Sequence, residues 1–341
     1  MTQGKLPSEG LVTIGTGTAQ RGEIVRCGIP IGRDIYGNEI AIPIILINGV
    51  KDGPILWLNG GTHGDEPEGA VAILKLLDCI DPAALRGAII ACPAMNLEAF
   101  EVASRGNPID WKGYDMNRIY PGDADGSPTE RVAAAHFAAM ADTCDLQINI
   151  HAGGTDMFIG EVLFVPDMIA SLELASAMGP NCPLVVTIGV GEGNPASQVA
   201  ALGTAGIGIE LGGLSRSLTR DAHAIGEALC SYILNVLRHY DMIEGAPEYA
   251  DRWHVGHLQP VNSPATGIWL GECDLDLLVP LPEGTPLGTL YNLHGEILHE
   301  VATPCDGIVA GLRTRPQTPE GEALAFFVVV DEVKENLLGK S

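Results

Sequence analysis

Ile55-Leu-Trp-Leu58, running into Asn59-Gly-Gly-Thr-His63-Gly-Asp-Glu66-Pro-Glu-Gly69, is the stretch that sets the fold of this chain. Four apolar residues read as a short buried strand, two glycines turn the backbone, and Pro67 opens the helical pattern of Ala70, Ile73, Leu74 and Leu77. His63 and Glu66 therefore fall on a strand-to-helix loop. In a parallel sheet such loops lie at the carboxyl ends of the strands, where open α/β folds collect their ligands. A His and a carboxylate three residues apart can grip one metal ion, so the chain is a candidate zinc hydrolase. The plainer alternative is a surface His beside a carboxylate that the helix dipole favours.

Working outward, strand and helix alternate. Gly87 to Cys92 reads as a strand, Pro93 to Gly126 is irregular, and a helix runs from Pro128 to about Thr143 behind the capping box of Ser127 and Glu130. Leu146 to Ile150 is a strand, 167–178 a helix, 184–189 a strand, 195–202 a short helix, 206–211 a strand and Thr219 to Tyr240 a long helix. This is an α/β layout, a doubly wound mixed sheet. Residues 1–48 read as hairpins that extend the sheet, with Tyr36-Gly-Asn-Glu39 as one turn. Near 245 the texture changes to short apolar runs split by Pro and Gly, among them Gly267 to Leu270, Leu277 to Pro280, Gly288 to Tyr291, Gly307 to Ala310 and Ala325 to Val330. The expected division is a hydrolase domain over 1–245, a linker over 246–264 and a small all-β domain over 265–333.

Composition excludes several classes. Lys and Arg total 19 against 43 acidic residues, and the net charge of -24 argues against nucleic acid or an anionic membrane surface as partner. No signal-peptide pattern opens the sequence and no apolar run is long enough to span a bilayer, so a cytoplasmic enzyme is expected. Eight cysteines form no C-x-x-C pair, and reduced thiols are the default. Sheet edges and the β tail leave room for a homo-oligomer.

A catalytic metal needs a third protein ligand and an open position. His151 ends the strand Leu146-Gln-Ile-Asn-Ile150 and precedes Ala152-Gly-Gly154, at the same sheet edge as His63 and Glu66, whereas the other histidines fall in helical patterns or the β tail. In Gly206-Ile-Gly-Ile-Glu210-Leu-Gly-Gly213 a lone carboxylate interrupts an apolar strand, and burying an unpaired charge is expensive. Glu210 reads as a general base, or else as half of an ion pair. Arg105 and Arg118 flank the site on the irregular stretch, where guanidinium groups bind carboxylates and share developing oxyanions, or simply balance surface acids.

The ordered set His63-x-x-Glu66, Arg105, Asn117-Arg118-x-Tyr-Pro-Gly, His151-x-Gly-Gly and Glu210 resembles the succinylglutamate desuccinylase and aspartoacylase family, the amidohydrolase branch of the zinc carboxypeptidase superfamily. The resemblance implies that His63, Glu66 and His151 bind one Zn²⁺ per chain and that Glu210 is the general base. It further implies that Arg105 polarises the scissile carbonyl while Asn117 and Arg118 hold a substrate carboxylate. The substrate is then a small N-acyl amino acid or a related amide. A peptide-cleaving zinc carboxypeptidase and a catalytically silent metal- or ligand-binding homologue are the alternatives. The tail from Gly284 to Val330 is similar to a biotinyl or lipoyl hairpin, but its turn, Leu293-His294-Gly295, lacks the lysine of a swinging arm.

Two departures stand out. Asn149 occupies a position where relatives often carry Asp, beside the proposed ligand His151. No Lys or Arg occurs from Val132 to Ser215, where relatives acting on N-acyl diacids place an additional Arg. Glu161, Glu173 and Glu192 are available instead, and Arg216 and Arg220 follow Glu210 closely. A substrate with a neutral or cationic side chain is therefore expected over a diacid.

Overall fold

A computed structural model describes residues 10–213, 219–272 and 274–338; Cys273 and Arg216 lie outside these. The chain starts with a small hairpin, β1 (Val12–Ile14) and β2 (Gly17–Ala19), and a long antiparallel pair, β3 (Ile24–Arg33) and β4 (Glu39–Asn48). The alternating part comprises β5 (Lys51–Asn59), α1 (Glu68–Cys79), β6 (Arg86–Cys92), α2 (Leu97–Glu101), α3 (Pro128–Ala141), β7 (Leu146–His151) and β8 (Met157–Pro166). It continues through α4 (Ile169–Ser176), β9 (Leu184–Ile188), α5 (Pro195–Ala201), β10 (Ala205–Gly212) and α6 (Thr219–His239). Strands alone follow: β11 (Trp253–Leu258), β12 (Val261–Asn262), β13 (Gly267–Gly271), β14 (Pro280–Leu281) and β15 (Pro286–Tyr291). The last four are β16 (Ile297–Ala302), β17 (Gly307–Arg313), β18 (Gln317–Thr318) and β19 (Ala323–Lys334).

One mixed sheet of 13 strands organises the molecule, in the order β14-β17-β19-β11-β9-β8-β10-β7-β5-β6-β4-β3, with β12 on β19. Its strands obey the period of two. Leu56 and Leu58 of β5 pack with α1, α4 and α6 through Leu76, Leu174 and Val236, whereas Ile55 and Trp57 pack on the other face with Val132 and Met140 of α3. Helices thus cover both faces. Trp57 is fully buried and its indole N–H donates to Thr143 Oγ1 at 3.1 Å; truncating such a ring costs about 3–5 kcal/mol. On α1 the buried stripe is Ala72, Ile73 and Leu76, while Leu74, expected on the inner face, is exposed. The capping box forms as the sequence requires, with Ser127 and Glu130 exchanging side-chain to backbone bonds.

Several elements differ from the sequence reading, among them α2, a short helix inside the stretch read as irregular. Strand β8 was not anticipated, because Met157 to Pro166 carries an apolar run interrupted by Gly160 and Glu161, which alone does not separate a buried strand from a helix. Leu277 to Val279 forms a turn rather than a strand. In the tail, β16-β15-β13-β18 make a separate sheet of four strands, while β11, β17 and β19 are hydrogen-bonded into the large sheet. The segment 246–264 accordingly carries strand β11, pinned between β9 and β19. Among the described residues no helix is long and apolar enough to cross a membrane.

Candidate active site

Three neighbouring strands, β5, β7 and β10, run parallel, and their carboxyl ends meet at one edge. In the register of the sheet Asn59 lies beside Asn149 and Glu210 beside His151. Period-two pleating then sets His151 and Glu210 side by side. The loop after β5 brings in His63 and Glu66.

His63, Glu66 and His151 are buried, and their ligand atoms lie within 4.8 Å of one another. Glu66 Oε1 is 2.7 Å from His63 Nδ1 and Oε2 is 2.8 Å from His151 Nδ1. The Ala152 N–H donates to Oε2 at 3.2 Å. Arg105 Nη1 donates to Oε1 at 3.3 Å. Burial raises the Glu66 pKa, but the charges and hydrogen bonds of His63 and His151 hold it far below the ordinary range. His63 is pulled down by burial and pushed up further by Glu66 and Asp115. His151 is lowered, burial outweighing Glu66.

Around these stand groups that orient them. Asp115 Oδ1 lies 2.9 Å from His63 Nε2, accepts the Asn117 N–H at 2.8 Å, and its Oδ2 accepts from Arg105 Nη2 at 2.9 Å. Burial raises Asp115, yet His63 and Arg105 hold it well below the carboxylate range. Asp115 lies two residues before the quoted Asn117-Arg118 motif, but in so acidic a chain nothing singled it out. The amide of Asn149 is 2.7 Å from His151 Nε2, and the Thr62 hydroxyl donates to its oxygen at 3.2 Å.

Glu210 keeps some surface toward the pocket, while its Oε2 is enclosed with no hydrogen-bond partner among the described residues. Burial and the Glu66 charge push its pKa well above the usual carboxylate value, with Arg105 opposing. Asn117 Oδ1 is likewise enclosed and unpartnered among the described residues. Arg118, exposed, donates to the Asn117 carbonyl at 3.0 Å. Behind it Tyr120 is anchored: its hydroxyl donates to His136 Nδ1 at 3.1 Å, and His136 Nε2 donates to Asn59 Oδ1 at 3.1 Å. That chain of bonds ties the irregular stretch to the end of β5.

All seven sequence-derived residues, namely His63, Glu66, Arg105, Asn117, Arg118, His151 and Glu210, line one cavity of about 540 Å³, a volume suited to a small molecule. Its far wall comes from elsewhere. Leu258, Arg313, Glu322, Ala323 and Phe326, all from the tail, face Phe164 and Ile188. Arg313, outside the stretch from Val132 to Ser215 that lacks Lys and Arg, brings a guanidinium to that side. Its guanidinium is, however, held by the carbonyls of Arg315 at 3.1 Å, Gln317 at 3.2 Å and Ala323 at 3.5 Å. Of the acids expected near the pocket, Glu192 lines it, whereas Glu161 accepts from the Tyr232 hydroxyl at 3.0 Å and Glu173 stands 3.7 Å from His239.

The model of the succinylglutamate desuccinylase/aspartoacylase catalytic domain matches residues 52–240. Over 325 residues the chain is 29% identical to the N-alpha-acetyl-L-2,4-diaminobutyric acid deacetylase of Halomonas elongata, covering 91% of each. Among solved structures it is similar to a succinylglutamate desuccinylase/aspartoacylase from Rhodobacter sphaeroides, with 27% identity, a TM-score of 0.77 and coverage of 91% of this chain and 95% of that one. The product-bound ectoine utilization protein EutE (DoeB) of Ruegeria pomeroyi shares the fold at a TM-score of 0.78 and 24% identity, covering 95% and 100%.

Proposed function

The chain belongs to the succinylglutamate desuccinylase/aspartoacylase catalytic-domain family, and from that premise we propose that it is a zinc-dependent amidohydrolase that releases a free amino acid from a small N-acyl amino acid. The observation that carries the reading is the meeting of His63, Glu66 and His151 with Glu210 at one buried strand edge. Two imidazoles and a carboxylate suit a divalent ion of the zinc type. The enclosed, unpartnered oxygens of Glu210 and Asn117 mark the side left for water and substrate. His63, Glu66 and His151 would hold the ion through Nδ1, a carboxylate oxygen and Nδ1. Asp115 then accepts the outer N–H of His63. Asn149, its amide turned to present oxygen, accepts that of His151, and the Thr62 hydroxyl serves either amide orientation.

When bound, the ion supplies Lewis acidity toward the amide carbonyl and lowers the pKa of water to about 7. Glu210 takes the proton from the attacking water and returns it to the departing amine nitrogen. Its enclosed oxygen and raised pKa suit a group that must gain and lose a proton near neutrality. Arg105, already turned to the cluster, shares the negative charge that develops on the carbonyl oxygen. Asn117 and Arg118 hold the α-carboxylate. For Arg118 no carboxylate lies within ion-pair distance among the described residues, so its guanidinium is open to a ligand.

The cavity volume of about 540 Å³, with Leu258, Ala323 and Phe326 of the tail in its wall, suits a small amide. Arg313 already directs three of its five N–H groups to carbonyls and has Glu322 at 3.9 Å, so a second substrate carboxylate finds less support there. N-acetyl-2,4-diaminobutyrate, the compound in the name of the Halomonas relative, fits these limits. The test is kcat/KM over N-acetyl-2,4-diaminobutyrate, N-acetylglutamine, N-acetylaspartate and N-succinylglutamate, with metal content measured on the same sample. We expect about one zinc per chain and diacids as the poorest substrates. A preference for N-acetylaspartate overturns the substrate class, and no hydrolysis of any amide by the zinc-loaded protein overturns the activity.

A further inference from the structure

Five carboxylates line the cavity: Glu66, Asp156, Glu192, Glu210 and Glu322. Four have partners or a part in the chemistry. Glu66 is enclosed by His63, His151 and Arg105. Asp156 pairs with Arg315 at 3.1 Å and Glu322 stands 3.9 Å from Arg313. Glu210 serves the proton transfers above. Glu192 has no ion pair among the described residues, where its side chain's one hydrogen bond is Oε1 accepting the Gly189 N–H at 3.1 Å.

The position of Glu192 gives that lone charge a reading. It sits on the loop between β9 and α5, and this loop is pressed against the turn that carries Asn117 and Arg118. The Tyr120 N–H donates to the Gly193 carbonyl at 3.1 Å. A Cβ on Gly193 would come within 2.1 Å of the Arg118 carbonyl oxygen, so only glycine allows so close an approach. The pocket therefore presents a guanidinium and a carboxylate on adjoining loops at one rim. An amino acid with a short side chain ending in an ammonium group offers the complementary pair from a single Cα, its carboxylate to Arg118 and its ammonium to Glu192.

We propose that Glu192 is the specificity-determining residue, selecting a short cationic side chain on the amino-acid half of the substrate; the proposal rests on the deacylase reading above. The Glu192→Gln variant isolates the charge, because the amide oxygen still accepts the Gly189 N–H and keeps the loop in place. The probes are N-acetyl-2,4-diaminobutyrate and its neutral isostere N-acetylnorvaline. Glu192 is exposed at the pocket rim, so the ratio of kcat/KM for the cationic over the neutral compound falls roughly threefold to fivefold in Glu192→Gln, the scale of one solvent-exposed charge pair. In the parent this ratio also declines as salt rises, and in the variant it does not. An unchanged ratio, with or without a parallel loss on both compounds, overturns the proposal and leaves Glu192 a loop residue.

Calorimetry with the free amino acids separates this from failure of the deacylase reading. If the parent hydrolyses neither amide, the activity is wrong, yet tighter binding of 2,4-diaminobutyrate than of norvaline, abolished in Glu192→Gln, still supports the charge selection. Equal binding of the two by the parent overturns it.

Discussion

Glu66 and Glu210 occupy the same sheet edge with one strand between them, and they are opposites. The loop after β5 surrounds Glu66 with donors, so both oxygens are engaged and the group stays ionised. The end of β10 gives Glu210 an enclosed oxygen with no donor and places it within reach of the Glu66 charge, so its neutral form is favoured. Residue type and sheet edge are shared; the supply of N–H groups is not. Pairs of carboxyls driven apart in this way divide permanent charge from proton transfer. A cation held by His63, Glu66 and His151 would draw Glu210 back toward the range in which a base works.

The sharpest way to break the comparison is to neutralise each carboxylate in turn. Glu210→Gln is expected to keep its metal and lose roughly two to four orders of magnitude in kcat, the scale of a general base. Glu66→Gln is expected to lose the metal itself, as is His151→Ala, by elemental analysis after dialysis. Equal metal content and equal kcat in the two glutamine variants would erase the distinction. A smaller effect is expected at the rim: Arg118→Ala raises KM roughly tenfold with little change in kcat, the signature of lost binding common to ground and transition states. A fall in kcat at constant KM would move Arg118 into the chemistry.

A third effect, on stability and not on rate, concerns what holds the rim in place. Burial pushes the His136 pKa down to about 3, and the ring is neutral between Tyr120 and Asn59. The unfolded chain takes up this proton near pH 6.5 and the folded one resists it. The stabilising effect is therefore complete above that pH and is lost as pH falls toward the folded value, with a slope of about 1.4 kcal/mol per pH unit. Denaturant midpoints of the parent and His136→Asn, followed from pH 8 to pH 4, should converge as pH falls. Parallel curves would mean that His136 does not titrate as described.

What was legible in the sequence follows the length scale of each signal. His63, Glu66 and His151 were readable because a strand, a glycine turn and a polar residue follow one another within a few positions, and strand ends in a parallel sheet converge. Glu210 was readable as a charge out of place in an apolar run. Asp115 was not, since its partner His63 is 52 residues away and its own neighbourhood is rich in acids. Nor was Arg313, because the pairing of β17 with β8, where Arg313 meets Met157, leaves no local trace in either strand. The substrate argument drawn from missing cations is weakened by Arg313, though three carbonyls and Glu322 already surround its guanidinium.

The tail wall also has a consequence for how the molecule is made. Synthesis delivers both imidazoles, Glu66 and Glu210 well before β17 and β19 exist, so the nascent chain owns its reacting groups before it owns a pocket. Until those last strands arrive, Ile159, Val162 and Val186 lack the cover that Ile308, Ala310 and Val328 later provide. An arrested chain would bare an apolar patch of the kind that drives association between unfinished molecules. The segment that completes the cavity wall thus also covers this apolar patch.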